Sequence, residues 1–403
     1  MSRLSRIKQF EEQTYQENDE RSDAERENML NQLQAMKNEY ESYNKRIHDI
    51  EDKLANVDLT IGLFSDEILA VYEHYPKLFD VDDLHVLLAR KLCELMYKGF
   101  SLHVLRGRPL RCHSKLMQEC LQYIQQSTNK TPLVLTVIGE QSSAKSSLLN
   151  STFGCNFRVS AGRCTIGMYM SIVRWHENTI VIFDTEGLLS LEESGSIFDN
   201  QMVSMAMLSS HLVLINHKGE FSSSLEHLIG MSFYAKLQIR SPLKPKLLFV
   251  LRDQSDTNAT DIFFRQLSKF KENLYNDSKF LKSSIDDELE INDQHVVLLP
   301  NAFSSDTNPI LGIEQTWRNR TFPMKILELR NMIFTSLANV NLEVYIDVAH
   351  LYQKIACNWN AIDKLGPNLL ACKTLYELSV MNELRDIANE ITLGCVNDVS
   401  QEG

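Results

Sequence analysis

Short, densely apolar runs alternate with mixed stretches through the middle of the chain. Leu133-Val134-Leu135-Thr136-Val137-Ile138, Thr179-Ile180-Val181-Ile182-Phe183, Leu212-Val213-Leu214-Ile215, Lys246-Leu247-Leu248-Phe249-Val250-Leu251 and His295-Val296-Val297-Leu298-Leu299 are the clearest. Runs of this length without polar alternation predict strands buried on both faces, and the helical stretches between them predict a mostly parallel sheet covered on both sides. The expected fold class is α/β, with this sheet in residues 132–320. Residues 58–131 read as a helical segment, with Leu87, Leu88, Leu92, Leu95 and Met96 as apolar positions and breaks at Gly99, Gly107 and Pro109. Residues 321–403 read as helical again, over Met324 to Leu342, Leu351 to Leu365 and Leu369 to Ile391. Trp359, Tyr352 and Ile355 are expected in the core.

Residues 1–57 contain no Gly or Pro and are dense in charged and amide side chains. Met29, Leu33, Met36, Tyr40, Tyr43, Ile47, Ile50, Leu54 and Val57 follow strict 4-3 spacing, the pattern of a coiled-coil seam. Methionine and tyrosine at several seam positions specify one oligomer state poorly. The spacing suits either a coiled coil or a helix packed against the C-terminal helices of the same chain.

The first buried run leads into Gly139-Glu140-Gln141-Ser142-Ser143-Ala144-Lys145-Ser146-Ser147 and then Leu148-Leu149-Asn150. Strand, tight loop and helix in this order make a phosphate-binding loop, in which backbone N–H groups curl round a phosphate. Lys145 takes the place that reaches the outer phosphates, and Ser146 the place that faces Mg²⁺. Ala144 stands where the motif has its second glycine. Thr179 to Phe183 runs into Asp184-Thr185-Glu186-Gly187, which sets Asp184 at a strand end to hold Mg²⁺ and lets Gly187 approach the γ-phosphate through its N–H. Between these motifs, Thr165 in Gly162-Arg163-Cys164-Thr165-Ile166-Gly167 suits a switch that closes over Mg²⁺ and the attacking water. The expected metal set is Ser146, Thr165 and Asp184.

The strand Lys246 to Leu251 ends in Arg252-Asp253-Gln254. A carboxylate at Asp253 accepts from guanine N1–H and N2–H₂, contacts that adenine does not offer, and leaving such a buried partner unpaired discriminates strongly. Asn301-Ala302-Phe303-Ser304-Ser305, after the last run, suits a loop covering the base.

Together these residues resemble the very large interferon-inducible GTPases, a branch of the dynamin-like superfamily related to guanylate-binding-protein and atlastin G domains. Its carriers are Gly139 to Asn150, Phe157-Arg158-Val159-Ser160-Ala161-Gly162-Arg163-Cys164-Thr165, Asp184 to Leu188, and Arg252 to Gln254, with Leu95 to Leu105 upstream. The resemblance covers about residues 85 to 300. It implies binding of GTP and GDP with Mg²⁺, hydrolysis of GTP to GDP and phosphate, and nucleotide-dependent self-association as a homodimer or higher oligomer. Gln141 and Ser142 match the dynamin-type loop, in which they help to position the nucleophilic water and a charge-compensating cation. Guanylate-binding proteins have an Arg finger at the place of Ser142, and its absence removes a rate gain of roughly 10³–10⁵. The expected catalytic set is then Gln141, Ser142, Lys145, Thr165 and Gly187. The nucleotide-binding set is Gly139 through Ser147 with Arg252 and Asp253. The alternative is a nucleotide-binding scaffold with impaired hydrolysis, assembled through its coiled coil.

A net charge of −12 argues against a general nucleic-acid binder, which shows a basic face. The eight cysteines have no CxxC or metal-ligand spacing and read as reduced thiols of a cytoplasmic protein. No run approaches 18 apolar residues, so no membrane span is expected.

Overall fold

The computed structural model describes residues 61–365 apart from 80–82, 107–109, 113, 127–130, 160–164, 190–195, 220–222, 255–259, 279–283, 303–320 and 341–343, with single positions between 28 and 42 and between 380 and 388. Two compact units divide the chain, Met1–Thr60 and Ile61–Gly403. In the first, the described positions between Asn28 and Ser42 are helical and exposed. The seam residues Met29 to Val57 lie outside the described residues, as does most of the stretch Leu369 to Ile391.

The second unit begins with α1 (Ile61–His74), a 3₁₀ turn (Pro76–Phe79), α2 (Leu84–Tyr97), β1 (Leu102–Leu105) and α3 (Lys115–Gln126). Next come β2 (Leu133–Ile138), α4 (Lys145–Phe153), β3 (Met168–Trp175), β4 (Asn178–Thr185), α5 (Ser196–Ser209), β5 (Leu212–Lys218) and α6 (Ser223–Ile239). The chain continues through β6 (Lys246–Arg252), α7 (Thr260–Ser278), α8 (Ile285–Glu288), β7 (Glu290–Leu298), α9 (Thr321–Ala338) and α10 (Val348–Lys364).

Seven strands form one sheet in the order β1-β3-β4-β2-β5-β6-β7. From β4 to β7 neighbours are parallel, while β1, β3 and β4 pair antiparallel. Every residue of β2 is buried, as its unbroken apolar run requires when helices cover both faces. Successive side chains then enter opposite cores. Val134 and Ile138 join the larger cluster with α2, α3, α5, α6, α7 and α10. Leu133, Leu135 and Val137 join the smaller one, closed by Leu148 and Leu149 of α4 and by Leu329 and Ile333 of α9.

The reading of 58–131 as helical is corrected at one place. Leu102–Leu105 is a strand, paired antiparallel with β3, so the sheet reaches back into that segment. α10 starts at Asp347, whose carboxylate accepts from the His350 N–H at 2.6 Å and so satisfies an end-of-helix donor. Trp359 is buried, as its packing positions predict, and its Nε1–H donates to the Leu110 carbonyl at 2.9 Å. Because β2, β4, β5 and β6 run parallel, their carboxyl ends open on one edge of the sheet, where a doubly wound fold places its ligand site.

Candidate functional site

The loop after β2 is built on unusual backbone. Ser142 and Ala144 have φ of 59° and 55°, in the left-handed region that glycine adopts most easily. Ala144 is the N-cap of α4 with ψ 41°, so the replaced glycine stands at a conformation where its methyl group is strained. At Gly139 a side chain would lie 2.1 Å from the Asn216 carbonyl oxygen, so the loop's entry excludes any other residue.

Two side chains from neighbouring strands hold the loop from beneath. Asn216 at the end of β5 donates Nδ2–H to the Ser143 carbonyl (2.6 Å) and to its hydroxyl (3.1 Å). Arg252, at the end of β6, donates to the carbonyls of Ser143 (2.8 Å) and Ala144 (3.3 Å). A trans peptide points its N–H opposite its C=O. Tying those carbonyls down therefore turns the N–H groups of Ala144 and Lys145 the other way, as an anion cradle at a helix N-terminus requires. Burial lowers the Arg252 pKa, and the neighbouring Asp253 carboxylate opposes that shift. Asn216 was not among the residues expected from sequence; an Asn at a strand end carries no local signal for this contact.

Lys145 is buried, and its ammonium donates to the carbonyls of Gly139 (3.1 Å) and Glu140 (3.0 Å). Ser146 donates to Asp184 Oδ2 at 2.6 Å, and the Thr165 hydroxyl reaches the same oxygen at 3.2 Å and lies 3.4 Å from the Ser146 hydroxyl. Three residues from the loop, the switch candidate and the end of β4 thus converge. Asp184 Oδ1 is buried and has no hydrogen-bond partner. Burial raises the Asp184 carboxyl to about 6, against the pull of Ser146, Lys145 and Thr165. One orphaned carboxylate oxygen beside two hydroxyls is a hard, all-oxygen donor set that fits Mg²⁺. Among the described residues no cluster of three or more His, Cys, Asp or Glu side chains is placed to hold a metal.

The loop is also stitched to the segment after β4. The Gln141 N–H donates to the Leu188 carbonyl (2.9 Å) and the Leu188 N–H to that of Gly139 (3.0 Å). At Gly187 an added Cβ would fall 2.5 Å from the Gln141 Cα, so contact with the loop by itself demands glycine there. Ser142 is exposed at the tip, and Ser147 lies part-buried on the first turn of α4. Glu186, quoted in the motif but given no role, is buried and pairs with Gly167 twice: its N–H donates to the Gly167 carbonyl (2.8 Å) and its carboxylate accepts the Gly167 N–H (2.6 Å). This pair of hydrogen bonds joins the Thr165 stretch to the end of β4. Gly162, Arg163 and Cys164 lie outside the described residues.

Asp253 stands apart from the loop, at φ 58° just past β6, part-buried and 3.4 Å from Lys218 Nζ. Gln254 secures that corner: its N–H donates to the Leu299 carbonyl and its Nε2 to that of Arg252. A cavity of about 510 Å³ lies against α4, lined by Ala144, Ser147, Leu148, Arg252, Ala302 and the first turns of α9.

The profile of the URGCP-like GTPase domain matches residues 6–293, well over half of the 403. The chain belongs to that family. That family is one of GTPase domains, which supports binding of guanine nucleotide. Mouse Interferon-induced very large GTPase 1 is 29% identical over 236 residues, 55% of this chain and 10% of its own length. Protein SEY1 homolog 1 of Paramecium tetraurelia is 31% identical over 156 residues, 36% of this chain and 20% of its own. Protein ROOT HAIR DEFECTIVE 3 of Oryza sativa subsp. japonica is 34% identical over 135 residues, 31% of this chain and 17% of its own. The chain therefore spans a fifth or less of these relatives. Among solved structures, Toc33 from Arabidopsis thaliana aligns over 53% of this chain and 88% of its own at a TM-score of 0.32 and 16% identity. No helix among the described residues is long and apolar enough to cross a membrane.

Proposed function

We propose that this chain hydrolyses GTP to GDP and phosphate in a Mg²⁺-dependent reaction, and that the GTP-bound form self-associates. The observation that carries the reading is the convergence of the Ser146 and Thr165 hydroxyls on the Asp184 carboxylate beside the Lys145 loop. In the reading, the N–H groups of the loop and of α4's first turn bind the β-phosphate. Lys145 exchanges its two carbonyl partners for β- and γ-phosphate oxygens. Ser146, Thr165 and Asp184 would hold Mg²⁺, which neutralises charge on the phosphates when bound. Gly187 presents its N–H to the γ-phosphate, while Gln141 and Ser142 at the loop tip orient the attacking water and the developing charge. Asp253 receives guanine N1–H and N2–H₂ once it leaves Lys218.

Thr165 is the reporter of the γ-phosphate. Its movement is transmitted to the end of β4 through the Gly167–Glu186 pair, which gives a route from nucleotide state to a changed surface. That surface, closed only with GTP, is proposed to mate with a second copy.

Equilibrium titration with fluorescent GTP, GDP and ATP analogues tests the reading. GTP with Mg²⁺ is expected to bind, ATP to bind at least about 100-fold more weakly, and Lys145→Ala to lose affinity by a similar factor. Equal affinity for ATP and GTP would refute the guanine assignment.

A further inference from the structure

α1 carries apolar side chains on two adjoining faces; one is buried in the core, and the other meets it only through Ile68. Ser65, Leu69 and Tyr72 are buried, and the last two join the larger cluster. Beside this stripe Phe64 is 53% exposed and Val71 40%, with Ile68 part-buried between them. Tyr75 and Leu78, just past the helix, are 64% and 61% exposed. The two sets are offset by one residue, about 100° around the helix, so the apolar surface runs on past the buried stripe, and an exposed apolar strip of this kind is normally covered.

The spacing of that exposed face identifies its occupant. The 4-3 series that runs from Met29 to Val57 continues in phase through Ile61, Phe64, Ile68, Val71, Tyr75 and Leu78. Leu33, Tyr40, Ile47, Leu54, Ile61 and Ile68 fall at one seam position of the repeat, and Tyr43, Ile50, Val57, Phe64 and Val71 at the other. No slip in register occurs where the two units meet in the chain. The exposed face of α1 is therefore the last part of a heptad pattern that begins some forty residues earlier.

We infer that the Phe64–Val71 face of α1 docks on the same face of a second copy, in a parallel, in-register dimer that forms without nucleotide. A copy of this chain is the partner whose seam matches in length and phase throughout. The series from Met29 to Val71 spans 43 residues of the sequence. The apolar 4-3 run in the C-terminal stretch, Val380, Leu384, Ile387 and Ile391, spans only 12 residues and is too short to match it. Flanking charges agree with parallel pairing. Positions that face one another across such a dimer, five residues apart, combine Arg46 with Glu51 and Lys53 with Asp58, and no like-charged pair arises between residues 32 and 72. A dimer of this kind brings two nucleotide-binding units together before GTP does. It is separate from GTP-dependent association, so either can fail without the other.

Sedimentation equilibrium of the full chain, free of nucleotide, tests the inference. A dimer is expected, and Phe64→Asp with Val71→Asp should weaken it at least about 100-fold, since two charges enter an apolar seam. Both side chains are exposed, so the variant should keep its nucleotide affinity and, at concentrations where the parent is also monomeric, its melting temperature. Phe64→Cys should cross-link to its counterpart on oxidation, unlike the chain without this substitution. The inference is overturned by a monomeric parent chain, or by a dimer that the two aspartates leave intact. A variant monomer that melts earlier than a monomeric parent would place the cover within the same chain. Failure of the Phe64→Cys variant to form that cross-link would exclude in-register pairing. Lys145→Ala should dimerise normally, which separates this result from loss of GTP binding.

Discussion

Ala144 holds a left-handed backbone conformation at the start of α4, where the phosphate-loop pattern has glycine. An L-residue there carries roughly 1–2 kcal/mol of steric cost, and glycine removes it while gaining some unfolded-state freedom. Ala144→Gly is therefore expected to stabilise the chain by about 1 kcal/mol in urea unfolding and to tighten nucleotide binding, because the loop no longer resists its own geometry. Lower stability in that variant would contradict the strain. Asp253 poses a separate question at the same scale. If its carboxylate reads guanine, Asp253→Asn converts one acceptor into a donor and should shift preference from guanosine to xanthosine nucleotides by at least about 100-fold, measured by competition. Unchanged preference would leave Asp253 as the partner of Lys218 alone. Arg252 illustrates what its position in the chain does not reveal. Its place in the motif groups it with Asp253 as nucleotide-binding, but the side chain runs under the loop and bonds the Ser143 and Ala144 carbonyls. Its influence on nucleotide would pass through the loop.

Among the elements, α5 and the segment after β4 form one mechanical unit. Asp199, in the first turn of α5, accepts the Leu189 N–H with both oxygens at 3.2 Å, and Leu189 itself has φ 56°. Asp199 is buried, and burial raises its carboxyl to about 6, partly offset by that N–H. A folded-state pKa above the unfolded one means the native state holds the proton more tightly. Its stabilising effect is complete below about pH 4, lost as pH rises to about 6, and absent above. Asp199→Asn keeps an acceptor for Leu189 without the buried charge. It should raise stability at pH 7 by roughly 1–2 kcal/mol and flatten the pH dependence between 4 and 6, followed by thermal melts. A variant less stable at pH 7 would show the charge to be favourable where it sits. The sheet offers the parallel lesson for legibility. β2, β4, β5 and β6 announce themselves because strands covered on both faces need unbroken apolar runs. β3 mixes Tyr169, Ser171 and Arg174 with its apolar residues, and β1 has four residues in a stretch of helical composition. Neither carries a periodic signal of its own; their pairing with each other and with β4 creates them.

For the molecule as a whole, ligand linkage gives the broadest test. Anything that binds only the folded state stabilises it by RT ln(1 + [L]/Kd), about 2.7 kcal/mol at a hundredfold excess over Kd. GTP with Mg²⁺ should therefore raise the melting temperature by a few degrees, and chelation by EDTA should remove most of the gain, since the Asp184 Oδ1 left without a partner would lose its cation. GTP that stabilises equally in EDTA would argue that the Ser146–Thr165–Asp184 cluster holds no metal.

The linear order of residues was enough to determine an α/β core, and it shows the phosphate-loop pattern, the Asp184 motif, the Arg252-Asp253 pair and the heptad phase before α1. Each of these is encoded locally, by an apolar run, by residue types at fixed offsets or by a period. Only the folded arrangement decided that Arg252 and Asn216 brace the loop, that Glu186 clasps Gly167, and that Phe64 and Val71 of α1 remain exposed. Those facts depend on which strand ends and helices become neighbours, and contacts between residues dozens of positions apart leave no period or spacing in the chain to read.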